Sequence, residues 1–299
     1  MSLIAFILVF ISVFMHASWN FLSKKDSPTL AFFWLSSVAG GVFWTFFAIF
    51  SGVDFWNLPW QFWVFWLLSN GFEVLYALSL AHGYKHGDIS LVYPLGRSLP
   101  VLFIAVITSV FGLGKQPSGI ALAGMAVIFC GCIIMPLGKW GDFKLKTYCN
   151  PVLFWVLMIG IGTTGYTLFD SMATGLLQMD EISGRNSFFK AVFYIFLVQL
   201  GLSLSLLVPA FVIRKEREEL KVISKTFSPY IAGIFCASAY ALVLQAMKFV
   251  TNVSFIQAFR QMSLPIGVLA GVFILKEKCS APKIVGIVMV VAGVIMTSL

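Results

Sequence analysis

Charge is the scarcest thing in this sequence. Asp, Glu, Lys and Arg make up 11% of its 299 residues and there are three histidines, whereas 60% of residues are hydrophobic and the mean hydropathy is +0.95. So little polar surface cannot cover a water-soluble domain, which excludes soluble enzymes and leaves no basic domain for nucleic acid. Mononucleotide chemistry lacks its loop, since no Gly-x-x-x-x-Gly-Lys-Ser/Thr occurs, and neither His-Glu-x-x-His nor Asp-Asp-x-x-Asp is present. The five cysteines, Cys130, Cys132, Cys149, Cys236 and Cys279, show no paired spacing with His16, His82 or His86. They read as packing thiols, and the sequence calls for no metal, no cofactor and no catalytic residue.

What is abundant is long apolar runs. A helix needs about 20 apolar residues to cross a hydrocarbon layer of about 30 Å, and such runs fall near 3–22, 29–51, 60–83, 88–111, 118–138, 152–175, 186–212, 228–250, 253–275 and 281–299. They are continuously apolar rather than alternating, which argues against a β-barrel. The first is a span rather than a signal peptide, because the first charge, Lys24, follows the run and no small-x-small cleavage pattern comes after it. The expected fold is an all-α polytopic membrane protein of ten transmembrane helices. The mixed-charge stretch Arg214 to Lys225 reads as a solvated helical cap between spans seven and eight.

Two stretches repeat. At an offset of 165, Ser98-Leu99-Pro100 falls on Ser263-Leu264-Pro265 and Pro117 on Pro282; at an offset of 147, Trp19 falls on Tyr166. The chain therefore divides into 1–140 and 141–299, five spans each. Five is odd, so the copies enter the membrane from opposite sides: an inverted-topology repeat, with a substrate site near the midplane between the halves. The loops joining odd to even spans hold fourteen Lys and Arg against four on the other face, which puts those loops in the cytoplasm and both termini outside.

With these features the chain resembles the drug/metabolite transporter superfamily, EamA type. The resemblance rests on the two five-helix halves, on His16-Ala17-Ser18-Trp19-Asn20 near the end of span one, and on Tyr93-Pro94-Leu95-Gly96-Arg97 in span four. It rests too on the stretch from Gly271 to Lys278 leading into a Gly-rich helix that ends Val290-Val291-Ala292-Gly293-Val294-Ile295-Met296. The resemblance implies transport, such as that of an exporter of amino acids, metabolites or toxic compounds, in a bacterial inner membrane. Members are usually drawn with cytoplasmic termini; the charge count here points the other way and is followed.

Glu73, Arg97, Asp170 and Arg260 are charged residues inside predicted spans. A charge facing lipid at the bilayer centre costs about 2.5–3.5 kcal/mol even on the lenient insertion scale, so each should face the interior. Helical spacing adds His16, Trp19 and Asn20 on one stripe of span one, Tyr76 beside Glu73, Tyr93 one turn from Arg97, Tyr166 one turn from Asp170, and Gln257 and Gln261 beside Arg260. These twelve residues are the candidate substrate site. An aromatic interior with two positive and two negative groups suits a small zwitterion or amphiphile, an arginine pairing with its carboxylate. Glu73 is the candidate for proton coupling, and Pro94, Pro100 and Pro265 are candidate hinges. Gly-rich spans five and ten read as close-packing surfaces, and Gly267-x-x-x-Gly271 as a contact face within or between protomers.

The expected activity is secondary transport by alternating access, proton-coupled or by exchange, from a monomer or homodimer among membrane lipids. The competing expectation is an integral-membrane enzyme acting on lipid or isoprenoid substrates.

Overall fold

The structure is a computed structural model and describes residues 2–26, 29–86, 89–142, 151–179, 182–274 and 279–298. Among these every regular element is helical. The first half holds α1 (Leu3–Asp26), α2 (Leu30–Ile49), α3 (Trp60–His86), α4 (Ile89–Val110) and α5 (Gly119–Ile134). The second holds α6 (Val152–Leu177), α7 (Ser187–Val212), α8 (Arg214–Ile223), α9 (Ser228–Met247), α10 (Val253–Phe259), α11 (Ser263–Ile274) and α12 (Ala281–Ser298).

Eight of these helices are long and apolar enough to cross a membrane, and α5 is a shorter apolar helix of 16 residues. The expected ninth span is not one continuous helix. It is α10 and α11 joined by a 3-10 turn, Arg260–Met262. Pro265 explains where the break falls: its ring clashes with the carbonyl four residues earlier, but in the first turn of a new helix its missing N–H costs nothing. α4 runs through Pro94 and Pro100 without ending. The charged stretch after α7 is a helix as expected, and its Glu216 accepts the N–H of Ala31 at 2.9 Å, capping α2 alongside Thr29. Most of the linker between the halves, residues 143–150, lies outside the described residues.

Helix packing repeats when the spans are shifted by five. The first packs on the eighth (α1 on α9) as the sixth packs on the third (α6 on α3); the fourth lies against the sixth as the broken ninth lies against the first. The second and seventh pair with each other, as do the fifth and tenth. That last pair shows the inversion directly. A Cβ at Gly124 would lie 2.6 Å from the carbonyl oxygen of Gly293, and one at Gly131 would lie 2.8 Å from that of Gly286. Number rises on α5 as it falls on α12, so the equivalent helices run antiparallel, with backbones in contact that only glycine permits. Gly267, by contrast, has nothing within 4 Å of an added Cβ, so it makes no such contact within the chain.

Large apolar side chains remain exposed on the outside, among them Phe46, Leu67, Val212 and Ile295. In water that would be costly; against lipid it is the expected surface, because the helices satisfy their own backbone groups.

Candidate functional site

A cavity of about 90 Å³ lies among α1, α2, α3, α6, α7, α9 and the 3-10 turn. Six of the residues singled out from the sequence line it: His16, Trp19, Glu73, Tyr76, Tyr166 and Arg260. Trp19 and Tyr166, equivalent positions in the two halves, thus share one wall. The cavity extends from Arg260 and Tyr240 toward the N-terminal turns of α2 and α9, through Phe32, Phe33, Ala232 and Gly233, and so toward the face with the basic loops. Tyr76 and Tyr166, then Tyr166 and Tyr240, meet edge to face with centroids 5.8 and 5.7 Å apart.

Reading the sequence missed Ser36 and Ser37 of α2, Gln199 of α7, and Cys236 and Tyr240 of α9 in this lining. Gln199 and Tyr240 each stand as a polar group mid-span, and that signal was available. The serines were not separable from other small residues.

Arg97 sits beside the cavity, in a space of about 10 Å³ shared with Tyr93, Tyr76 and Tyr166. Its side chain is buried, and its Nη atoms are bonded inside the protein while Nε has no partner. Nη2 donates to the Arg260 carbonyl at 3.0 Å and to Ser263 Oγ at 3.1 Å, while Gln261 Nε2 donates back to the Arg97 carbonyl at 3.0 Å. These bonds tie the break in the ninth span to α4, reciprocally across the two halves. Nη1 meets Nε2 of His16, whose Nδ1 accepts from Trp19 Nε1 at 3.0 Å. An imidazole has at most one acceptor nitrogen, yet two donor-only groups converge on this one. One N–H is therefore surplus and needs another acceptor.

Asp170 does not line the cavity. It is fully buried, and its carboxylate accepts from Tyr194 Oη at 2.6 Å and from the hydroxyls of Ser69 and Tyr240, so that one side chain of α6 joins α7, α3 and α9. Glu73 is different. It borders the cavity and makes no hydrogen bond or ion pair among the described residues. Arg260, 5% exposed, donates from Nη1 to Gln257 Oε1 at 3.3 Å and stands 5.6 Å from the Tyr240 ring centroid. Neither buried arginine is paired with a carboxylate; among the described residues the ion pair is Arg214 with Glu218, on the surface of α8.

The remaining candidates have local roles. Asn20 donates to the His16 carbonyl of its own helix at 2.7 Å, Gln261 also donates to the Gln257 carbonyl, and Tyr93 stacks 5.9 Å from the Arg97 guanidinium. None of these three lines the main cavity.

Eight helices long and apolar enough to cross a membrane, with shorter apolar ones, packed around a cavity that Glu73 and Arg260 border, define a polytopic membrane protein. Residues 153–299 match the family model of the EamA-like transporter family. A solved crystal structure, titled only as that of a protein, superposes over 98% of this chain and 97% of its own at a TM-score of 0.70 with 11% identity, a likeness of fold across both halves. No curated protein matches in sequence.

Proposed function

We propose that this protein is a secondary active transporter that moves a small organic solute, an amino acid-like zwitterion or an amphiphilic metabolite or drug, by alternating access. The observation that carries the reading is that Arg260 and Glu73 border one cavity without a charged partner. A buried cation and a buried carboxylate are each costly alone, and a zwitterion bridging them offsets both. The surplus N–H at the His16, Trp19 and Arg97 cluster adds a donor for the solute's carboxylate, and the tyrosine wall packs its apolar part. A cavity of about 90 Å³ is smaller than the roughly 300–1,000 Å³ typical of drug-sized sites, which favours the small end of that solute range.

On this reading 1–140 and 141–299 are the two repeats that rock about the site. Glu73 is the group whose protonation couples transport to the proton gradient, and Pro94, Pro100 and Pro265 are the flex points. The protein resides in a bacterial inner membrane with both termini outside, as a monomer or homodimer among lipids. It needs no cofactor and no nucleic acid, and acts as a carrier rather than an enzyme.

The test is a binding screen of the purified protein against amino acids, amines and nucleobases, followed by uptake and counterflow of any hit in liposomes. Accumulation of unmodified solute is expected. Turnover to a product with no movement of solute would replace the reading with the enzymatic one.

A further inference from the structure

Two cavities lie along one pair of helices. The main cavity reaches Tyr166 on α6 and Tyr240 on α9. A second, of about 280 Å³, lies at the opposite face, against Leu168, Ser171 and Met172 of α6, Met247 of α9 and the loop residues Gly114 and Thr251. Along α6, Asp170 lies within the stretch 168–172 whose Leu168, Ser171 and Met172 line the second cavity, one turn from Tyr166 in the first. Along α9, Tyr240 precedes Met247 by two turns. The hydroxyl of Tyr240, held by the Asp170 carboxylate, therefore reaches from the first cavity to the level of the second on α6.

The rim of the second cavity is tied shut on one side. Asn252 donates to Thr108 Oγ1 at 3.1 Å and to the carbonyl oxygens of Lys115 at 3.1 Å and Leu113 at 3.4 Å, while the Lys115 N–H donates to the Thr251 carbonyl at 2.9 Å. Gly114, at φ 86°, lets that carbonyl come within 2.4 Å of where a Cβ would sit. These bonds join the loop after α4 to the loop before α10 and leave the space itself intact. Its polar lining is neutral, with Thr108, Ser171, Thr251 and Asn252 beside the methionine thioethers and no charged side chain. A zwitterion leaving the Arg260 and Glu73 pair would be hydrated there without being held.

We propose that the second cavity is a transit site for the same solute on the far side of the path, and that Tyr240, pinned by Asp170, is the partition between the two cavities. This rests on the carrier reading for its purpose and on the geometry for its position. Asp170 is on this account a positioning residue: its three hydroxyl donors come from three other helices, so it fixes the phenol relative to α3, α6 and α7 together. Moving Tyr240 aside opens a way through, whereas breaking the rim does not.

The experiment measures access and needs no transport. Cys236 lines the main cavity, which makes it a native reporter. A membrane-impermeant cationic thiol reagent is added from the face that bears Gly114, to the full-length protein carrying Ser171→Cys, and each cysteine is read by peptide mass spectrometry. Ser171→Cys should react promptly and Cys236 slowly. Adding Tyr240→Ala should raise the Cys236 rate by about tenfold or more, the equivalent of removing about 1.4 kcal/mol from the barrier. Asp170→Asn should give a smaller rise, and neither variant should change the rate at Ser171→Cys. Tyr240→Phe, which keeps the ring and loses the hydroxyl, serves if alanine prevents folding, and should match Asp170→Asn. An unreactive Ser171→Cys overturns the transit site, and a Cys236 rate indifferent to Tyr240 overturns the partition. A failed solute screen with these access results intact would instead count against the carrier reading alone.

Discussion

Four charged side chains lie mid-span in the helices, Arg97, Asp170 and Arg260 buried and Glu73 half-buried, and they divide by what they touch rather than by sign. Arg97 and Asp170 are hydrogen-bonded by the protein: the arginine's Nη atoms by Ser263, His16 and the Arg260 carbonyl, its Nε having no partner, and the aspartate by Ser69, Tyr194 and Tyr240. Arg260 and Glu73 face the cavity, and neither forms an ion pair among the described residues. Each pair contains one cation and one anion. The first pair reads as structure and the second as a site awaiting a ligand, because a buried ion is tolerated only when something answers it.

The comparison breaks most sharply at the arginines. Arg97→Met should cost about 3 kcal/mol of stability, since it strips a charged donor from buried acceptors and unties the broken ninth span from α4. Arg260→Met should leave the melting temperature unchanged or raised, yet weaken solute binding by about 10- to 100-fold, the equivalent of one or two charge-assisted hydrogen bonds. Thermal melts in detergent and a binding isotherm on both variants decide it. Equal loss of stability in the two would erase the distinction.

A gentler version uses the carboxylates. Asp170→Asn keeps the shape but removes the charge and one acceptor from three converging hydroxyls, and should cost about 2 kcal/mol. Glu73→Gln should change stability by less than about 0.5 kcal/mol, as expected for a group with no partner to lose. Its effect should appear instead in transport, where the dependence of uptake on a pH gradient should flatten. If Glu73→Gln transports with an unaltered pH profile, Glu73 is not the coupling group.

Much of this was legible beforehand, and the reason is physical. Hydrocarbon imposes so strict a rule on length and polarity that the succession of apolar helices and the inversion follow from apolar runs and from Ser98-Leu99-Pro100 recurring at Ser263-Leu264-Pro265. The same rule exposed the four charges, because each is anomalous in an apolar run. It could not show which of them is satisfied. That depends on Ser69, Tyr194 and Tyr240, 101, 24 and 70 residues from Asp170, reached only through tertiary packing. The broken ninth span was half visible: Pro265 announced a disturbance, while the turn at Arg260–Met262 also needs Arg97 to answer a carbonyl from another helix. In register, Arg97 falls on Met262 rather than on Arg260. The repeat therefore hid that one arginine ties the halves together and the other lines the cavity.

The smallest expected effect lies at the join between the two pairs. Trp19 lines the cavity, and its Nε1 shares His16 with Arg97, so it touches the structural group and the open one at once. Trp19→Phe keeps an aromatic ring against the imidazole and removes only the donor. If the surplus N–H at His16 serves the solute, Arg97 will take the imidazole and the solute will lose one neutral donor, worth about 0.5–1.5 kcal/mol. That predicts a rise in the solute Kd of about three- to tenfold with little change in melting temperature. If the cluster is purely structural, the imidazole accepts from Trp19 rather than from Arg97, and that bond is lost. Stability then falls by about 1 kcal/mol and affinity stays put. Measured together, the Kd and the melting temperature of this one variant place His16 and Trp19 with Arg97 or with Arg260.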